Sequence, residues 1–337
     1  VDMSVNPPVT TNITNSRRNE YLAQWSPDSK LIAFVGSSDS TNADIYTMMP
    51  DGSNIRQLTD RPGWESDINW SPDGEKIVFS GEANGGLDIF VMNADGSGAS
   101  NLTDNAAREY FPEWSPDGRQ IAFRVTRNIS VDLMGMDASG DNLHWLTQDG
   151  YNNHSPAWSP DGAAIAFTSE RDGNAEIYVM DGDGDNERRL TFQSASDESP
   201  AWSPDSQRIL FNSRRDKDYE IYVMDADGGN QQRLTNSPDR DVEPSWSPDG
   251  KSIAFISGRE GNYEVYVMAV DGSSPRRLTI TDEFEFSPRW SPDGTQILFE
   301  AMTTGSDVVT YLIQADGTYM RRLTTIDMFL HNPIWRE

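Results

Sequence analysis

The sequence predicts an all-β protein, a β-propeller of four-stranded blades. Three observations carry that expectation. A Trp-Ser-Pro-Asp motif occurs seven times. Each copy heads a unit that reads as four short strands, and no unit holds a helical apolar period over ten or more residues.

The motif tryptophans are Trp25, Trp70, Trp114, Trp158, Trp202, Trp246 and Trp290, so successive copies lie 45, 44, 44, 44, 44 and 44 residues apart. Trp335 follows in phase, 45 residues on, without the rest of the motif. A period of about 40–45 residues is the size of a propeller blade. Within a unit the first strand ends at the Trp. Pro-Asp-Gly then sets a tight turn, because Pro fixes one backbone angle and Gly accepts a positive one. A second strand such as Ile77–Phe79 and a polar loop follow. The third strand reads Glu-Ile-Tyr-Val-Met, with β-branched and alternating character. An Asp-Gly turn leads to a fourth strand ending Arg-Arg-Leu-Thr. One four-stranded sheet cannot cover both of its faces, whereas radial stacking lets each sheet cover its neighbour. The recurring Trp fits a wedge between sheets better than a ligand platform, since every unit has it in the same place.

Seven complete units run over about residues 20–324 of a single domain, 1–337. Seven blades are the favoured count, with residues 1–19 and 325–337 as terminal strands near the ring seam. Thr10–Thr14 resembles a fourth strand and the stretch around Trp335 a first strand, so a two-stranded eighth blade is the alternative.

The repeat resembles that of TolB-like β-propellers, relatives of the WD-repeat design, most clearly in the copies starting at Trp158, Trp202 and Trp246. That resemblance implies a periplasmic or secreted scaffold that binds other proteins. TolB itself carries an amino-terminal α/β domain, which the residues before Trp25 are too few to supply. The same repeat occurs in peptidase-associated propellers and in oligogalacturonate lyases, where it would imply a metal and clustered histidines.

Composition narrows the function. The formal net charge is −27, which repels nucleic acid and anionic lipid and favours cations or basic partner surfaces. No apolar run approaches the roughly 18 residues of a membrane-spanning helix. There is no Cys, so disulfides, thiolate metal sites and thiol nucleophiles are excluded. The three histidines, His144, His154 and His331, lie far apart without metal-ligand spacing. Gly-x-Ser-x-Gly and phosphate-loop motifs do not occur. Asn-x-Ser/Thr sequons at Asn12, Asn101, Asn128 and Asn153 are expected by chance in so Asn- and Thr-rich a chain.

Two patterns remain as site candidates. Five places before each Trp stand Glu20, Glu65, Glu109, Asn153, Asp197, Asp241 and Glu285. The resemblance puts this point where the chain enters the innermost strand, beside the central channel. The six acids would then form a negative mouth for a protein or peptide with a basic segment. Thirteen places after four of the Trp residues stand Arg127, Arg171, Arg215 and Arg259. Blade-to-blade clasps between these arginines and the acids are the structural alternative. Ser38, Ala83 and Thr303 take the Arg place in units one, two and seven, which would leave Glu20, Glu65 and Glu285 least neutralised. The second pattern is Asp181, Asp183 and Asp185, which resembles the start of a calcium loop, although Phe192 stands where such a loop needs Glu. An ordinary turn is the alternative, and no cofactor is required.

The function expected is a non-enzymatic, exported interaction scaffold. A lyase or hydrolase acting on an oligosaccharide or peptide, and a structural subunit of a cell-surface assembly, are the alternatives.

Overall fold

The computed structural model describes residues 19–37, 41–105, 107–127, 129–305 and 307–324. Every regular element among them is a strand. Seven successive units each contribute four antiparallel strands in the order first, second, third, fourth. In unit five these are Asp197–Trp202, Arg208–Asp216, Asp218–Asp225 and Gln232–Arg233. Units two and three are additionally joined by one parallel pair, Leu87 with Arg108.

The turn chemistry is that of the sequence. In unit four Ser159 Oγ donates to Asp161 Oδ1 at 2.6 Å and accepts from the Ala164 backbone N–H at 2.9 Å. Asp161 Oδ1 also accepts the Ala163 N–H, and Gly162 takes φ +73°. The Ser and Asp of each motif are therefore committed to closing the hairpin.

The second strand of every unit supplies one fully buried phenylalanine, from Phe34 through Phe299. In six units it packs against an aromatic residue of the third strand, for example Phe167 against Tyr178 at 5.7 Å between ring centroids. The motif Trp residues do sit between units. Trp70 packs with Ala33, Val35 and Ile45 of unit one as well as with its own sheet. Trp202, Trp246 and Trp290 donate their ring N–H to the carbonyls of Ala157, Ala201 and Ser245 in the preceding unit.

The last repeated device is the threonine closing each fourth strand. Its hydroxyl accepts a third-strand N–H in all seven units, from Thr59 with Ile45 to Thr324 with Thr310, at 2.7–3.0 Å. This explains why the units end in Leu-Thr or its equivalent.

Unit one packs on unit seven. Ala23, Trp25, Phe34 and Tyr46 share a cluster with Leu298, Leu312 and Leu323. Glu300 accepts the backbone N–H of Leu22, and Arg321 donates to the carbonyl of Pro50. The segments expected to form terminal strands or an eighth blade, including Thr10–Thr14 and Trp335, lie outside the described residues.

Candidate functional site

The first strands of units one and two, two and three, four and five, five and six, and six and seven lie against one another, and that of unit four packs on the third and second strands of unit three. They surround the axis of the ring. Their burial follows one pattern. Positions five and two before the Trp are buried wherever described, while positions six, four, three and one before it are half-buried or exposed. The cause is a β-bulge. Three before each Trp, where the register with the second strand shifts, a residue adopts left-handed φ. These are Leu22, Asp67, Phe111, Ser155, Ser199, Glu243 and Ser287, with φ between 51° and 57°. A bulge adds a residue and reverses side-chain alternation beyond it.

That reversal corrects the acidic mouth expected from the sequence. Glu65, Glu109, Asp197, Asp241 and Glu285, with Asn153, are turned into the sheet packing and are at most 2% exposed. The side chain of Glu20 lies outside the described residues, as does Ser38. The arginine clasp forms in two units, but within one blade rather than between blades. Arg215 Nη2 meets Asp197 Oδ2 at 2.7 Å, and Arg259 Nη2 meets Asp241 Oδ2 at 2.8 Å. Arg171 reaches Asn153 Oδ1 at 3.1 Å and pairs with Asp149. Arg127 instead turns toward Asp132, at 4.0 Å, over the Trp145 ring. In unit two the missing arginine is supplied by another route. Arg61, from the preceding loop, lies over Phe90 at 3.9 Å and 3.7 Å from Glu65. Glu65 is thus not bare.

Glu285 makes no ion pair among the described residues. It accepts from Thr279, from Thr281 Oγ1 at 3.0 Å and from the Val265 N–H at 2.9 Å. Burial, reinforced by the nearby Glu264 carboxylate, pushes its pKa up to about 8. Burial likewise raises Glu65 to about 7, against the lowering effects of Thr59 and Arg61. Glu109, Asp197 and Asp241 are raised in the same direction for the same first cause. A basic partner drawn to this mouth by these acids therefore loses its basis.

A second circle of buried acids was missed. Asp44, Asp88, Asp132, Glu176, Glu220 and Glu264 stand on the third strands, 18 or 19 residues after the unit Trp. Arg189, Arg233 and Arg277 pair with the last three of them at 2.6 Å. The phase was visible in the sequence, but an acid inside an apolar strand reads as a solvent-facing position.

The structure does not gather Asp181, Asp183 and Asp185 into one donor set. Asp181 accepts from Asn186 Nδ2, and Asp183 Oδ1 accepts the Asp185 N–H, so the stretch is a hairpin turn. Among the described residues no group of three or more His, Cys, Asp or Glu is placed to hold a metal ion. His144 lies on a fourth strand and His154 on a first strand, while His331 is outside the described residues.

Exposed acids lie at the opposite end. Asp28, Asp73, Asp117, Asp161, Asp205, Asp249 and Asp293, one from each motif turn, are all exposed on that face. Side-chain and backbone hydrogen bonds to each hold these carboxyls below the usual range, Asp28 at about 2.

The mouth positions do not repeat and, unlike the equally varied exposed position five after each Trp, they include aromatic residues. Six before the Trp stand Trp64, Arg108, Asn152, Ser196, Arg240 and Phe284 in units two to seven. Four before it stand Ser66, Tyr110, His154, Glu198, Val242 and Phe286. The backbone beneath is uniform: the carbonyls of Trp64, Asn152, Ser196 and Arg240 each accept an N–H from their own hairpin. Between units two and three a cleft of about 710 Å³ opens here, lined by Trp64, Ser66, Glu82, Asn84 and Arg108 among others.

A family model described as the TolB beta propeller domain matches residues 8–149, 100–201 and 195–336. The chain belongs to the TolB beta-propeller family. An Agrobacterium tumefaciens protein assigned as TolB is 25% identical, with a TM-score of 0.57 over 82% of this chain and 99% of that one. Oligogalacturonate lyase from Vibrio parahaemolyticus is 15% identical, with a TM-score of 0.71 over 90% of this chain and 89% of that one. This second likeness is one of fold alone. The uncharacterized peptidase YuxL of Bacillus subtilis is 37% identical over 65 residues, 19% of this chain and only 10% of that protein. No helix among the described residues of this TolB-family chain is long and apolar enough to cross a membrane.

Proposed function

We propose that this chain is a protein-interaction module that works without turnover outside the cytoplasm, in the periplasm or at the cell surface. Its partner segment docks at the channel mouth formed by the starts of the first strands. The observation that carries this reading is the contrast between framework and mouth. Seven units repeat the same Trp, Ser-Pro-Asp turn, buried Phe and closing Thr, whereas positions six and four before the Trp differ from unit to unit. Repetition at a position serves packing. Divergence on one rigid, partly exposed surface, with aromatic and arginine side chains among the substitutions, suits recognition of one asymmetric partner. The likeness to proteins named TolB supports a binding role.

A peptide library displayed on phage and selected on the folded chain tests this. Selected peptides are then measured by calorimetry against wild type, Trp64→Ala, Phe284→Ala and the opposite-face pair Asp73→Asn/Asp293→Asn. The mouth substitutions should weaken binding by tenfold or more, at roughly 1–3 kcal/mol per aromatic anchor. Peptides that ignore the mouth changes and respond to the Asp73/Asp293 pair would move the docking surface to the other face. Cell fractionation of the native producer, with the chain found only in the cytoplasm, would overturn the location.

A further inference from the structure

Arginines stand exposed at the mouth of an acidic chain. The chain has 54 acidic and 27 basic residues. Most arginines in units four to six are nevertheless spoken for: Arg171, Arg189, Arg215, Arg233, Arg259 and Arg277 each pair with a carboxylate. Arg214 and Arg240 are different. Both are exposed, and neither makes an ion pair among the described residues. Both guanidiniums instead share one ring, Tyr219, at 5.9 and 5.7 Å from its centroid.

Three features make this a built arrangement. Tyr219 is fixed, because its hydroxyl donates to Glu198 Oε1 at 2.7 Å. The backbones are fixed too, since the Arg214 N–H donates to the Ser196 carbonyl and the Arg240 carbonyl accepts from Gly258 N–H. The two arginines come from neighbouring units, Arg214 from a second strand and Arg240 from the loop leading into unit six, so their meeting is a property of the ring. A guanidinium stacked on an aromatic ring keeps its N–H edge available and loses little freedom when it takes a carboxylate in two-point fashion. Two acids stand beside the two arginines, Glu198 engaged by the tyrosine hydroxyl and Asp239 accepting the Arg240 N–H at 2.7 Å, and neither forms an ion pair with a guanidinium among the described residues. Arg108 at the same mouth is also exposed, with no ion pair among the described residues.

We infer that Arg214 and Arg240, held on Tyr219, form a carboxylate-binding subsite for an acidic peptide segment that docks at the channel mouth. The inference rests on the docking reading above and gives its partner a chemistry. The apolar residues of the same mouth, Phe284 and Phe111, are exposed enough to take side chains flanking the acid.

The test uses three fluorescein-labelled peptides of equal length, with Glu-Leu, Gln-Leu or Lys-Leu repeats, each with a free or an amidated carboxy terminus. Anisotropy titrations compare wild type, R214Q/R240Q and F284A, with unfolding midpoints confirming that each variant folds. The Glu peptide should bind wild type most tightly and lose roughly tenfold to hundredfold with R214Q/R240Q, the range for charge-assisted hydrogen bonds. Loss on amidation would assign the terminal carboxylate, and indifference to it the side chains. A Glu peptide that binds no better than the Gln peptide up to millimolar protein, or equally well to R214Q/R240Q, overturns the subsite. If the Gln or Lys peptide is then bound and lost on F284A, the mouth still docks a segment and only the acidic class falls. If neither F284A nor R214Q/R240Q changes the binding of any peptide, both readings fall.

Discussion

Glu300 in unit seven accepts the backbone N–H of Leu22 in unit one, and that of Ala23 at 3.3 Å. Leu22 is the bulge residue of its strand, so its N–H has no ladder partner. Other bulges are held by their neighbours in the same way, Phe111 by Asp67 and Ser287 by Glu243. Glu300 makes that tie across the seam where the ring closes.

Glu300→Ala should therefore destabilise the protein by about 2–4 kcal/mol, since it leaves buried N–H groups unpaired at roughly 1–3 kcal/mol each. Glu300→Gln keeps an acceptor oxygen and should cost less than half as much. Urea unfolding measures both. An Ala variant within about 0.5 kcal/mol of wild type would show that the seam is held by packing alone.

Trp246→Ala should cost about 3–5 kcal/mol, the range for large core truncations. Trp246 is 8% exposed, packs with Leu210 and Val223 of the preceding unit and bonds to Ala201. Trp158, half-buried and with no partner for its ring N–H, should cost less when cut to Ala. Equal losses, or a smaller loss at Trp246, would mean that the wedge role is not set by burial.

Glu285 makes stability pH-dependent. Its folded pKa, about 8, lies above the ordinary 4.5, so the folded state holds the proton more tightly than the unfolded one. Its contribution is full below about pH 4.5 and is lost as pH rises toward 8, because stability falls wherever the native state binds more protons. Glu65, at about 7, acts in the same direction over a narrower window. Glu285→Gln should flatten the decline between pH 5 and 8. The variant should then be more stable than wild type at pH 8 by more than about 1 kcal/mol, since each tenfold change in proton affinity is worth about 1.36 kcal/mol. Parallel pH–stability curves for variant and wild type would contradict the assignment.

The legible part of this molecule was its period. The phase of the Trp residues, the Ser-Pro-Asp turns and the third-strand alternation specify blade after blade, because each is a local rule repeated seven times. The start of the first strand as a candidate face came from the family resemblance, and which residues it shows to solvent was not legible. Counting back from Trp202 by strict alternation puts Asp197 on the same side as Ala201 and Ser199. The bulge at Ser199 turns Asp197 into the packing instead. Nothing in the sequence marks that bulge, since its left-handed residue is Leu, Asp, Phe, Ser or Glu and never Gly. Arg61 was hidden for a different reason. It stands nine places before Trp70, where other units have Asn105, Asp149, Gln193, Ser237 and Thr281, so a count of arginines thirteen places after the Trp passes over it.

Oligogalacturonides, other oligosaccharides and peptides incubated with the isolated chain should show no turnover above background. The reading of a binding module depends on this, and product release abolished by one point substitution in the chain would replace it with an enzyme.

Within the described residues each unit draws all four strands from one contiguous stretch of chain, and none lends a strand to its neighbour. Such a ring has no privileged beginning. Any loop between units can serve as the place where the chain starts and stops, and whole units can be copied by duplicating about 44 codons in frame. Copying carries the framework along unchanged, since its bonds lie mostly inside a unit. Only the first-strand positions beside the axis must then drift apart. Ancestry of this kind would yield a scaffold that is ancient and uniform, with a binding surface younger than the fold bearing it.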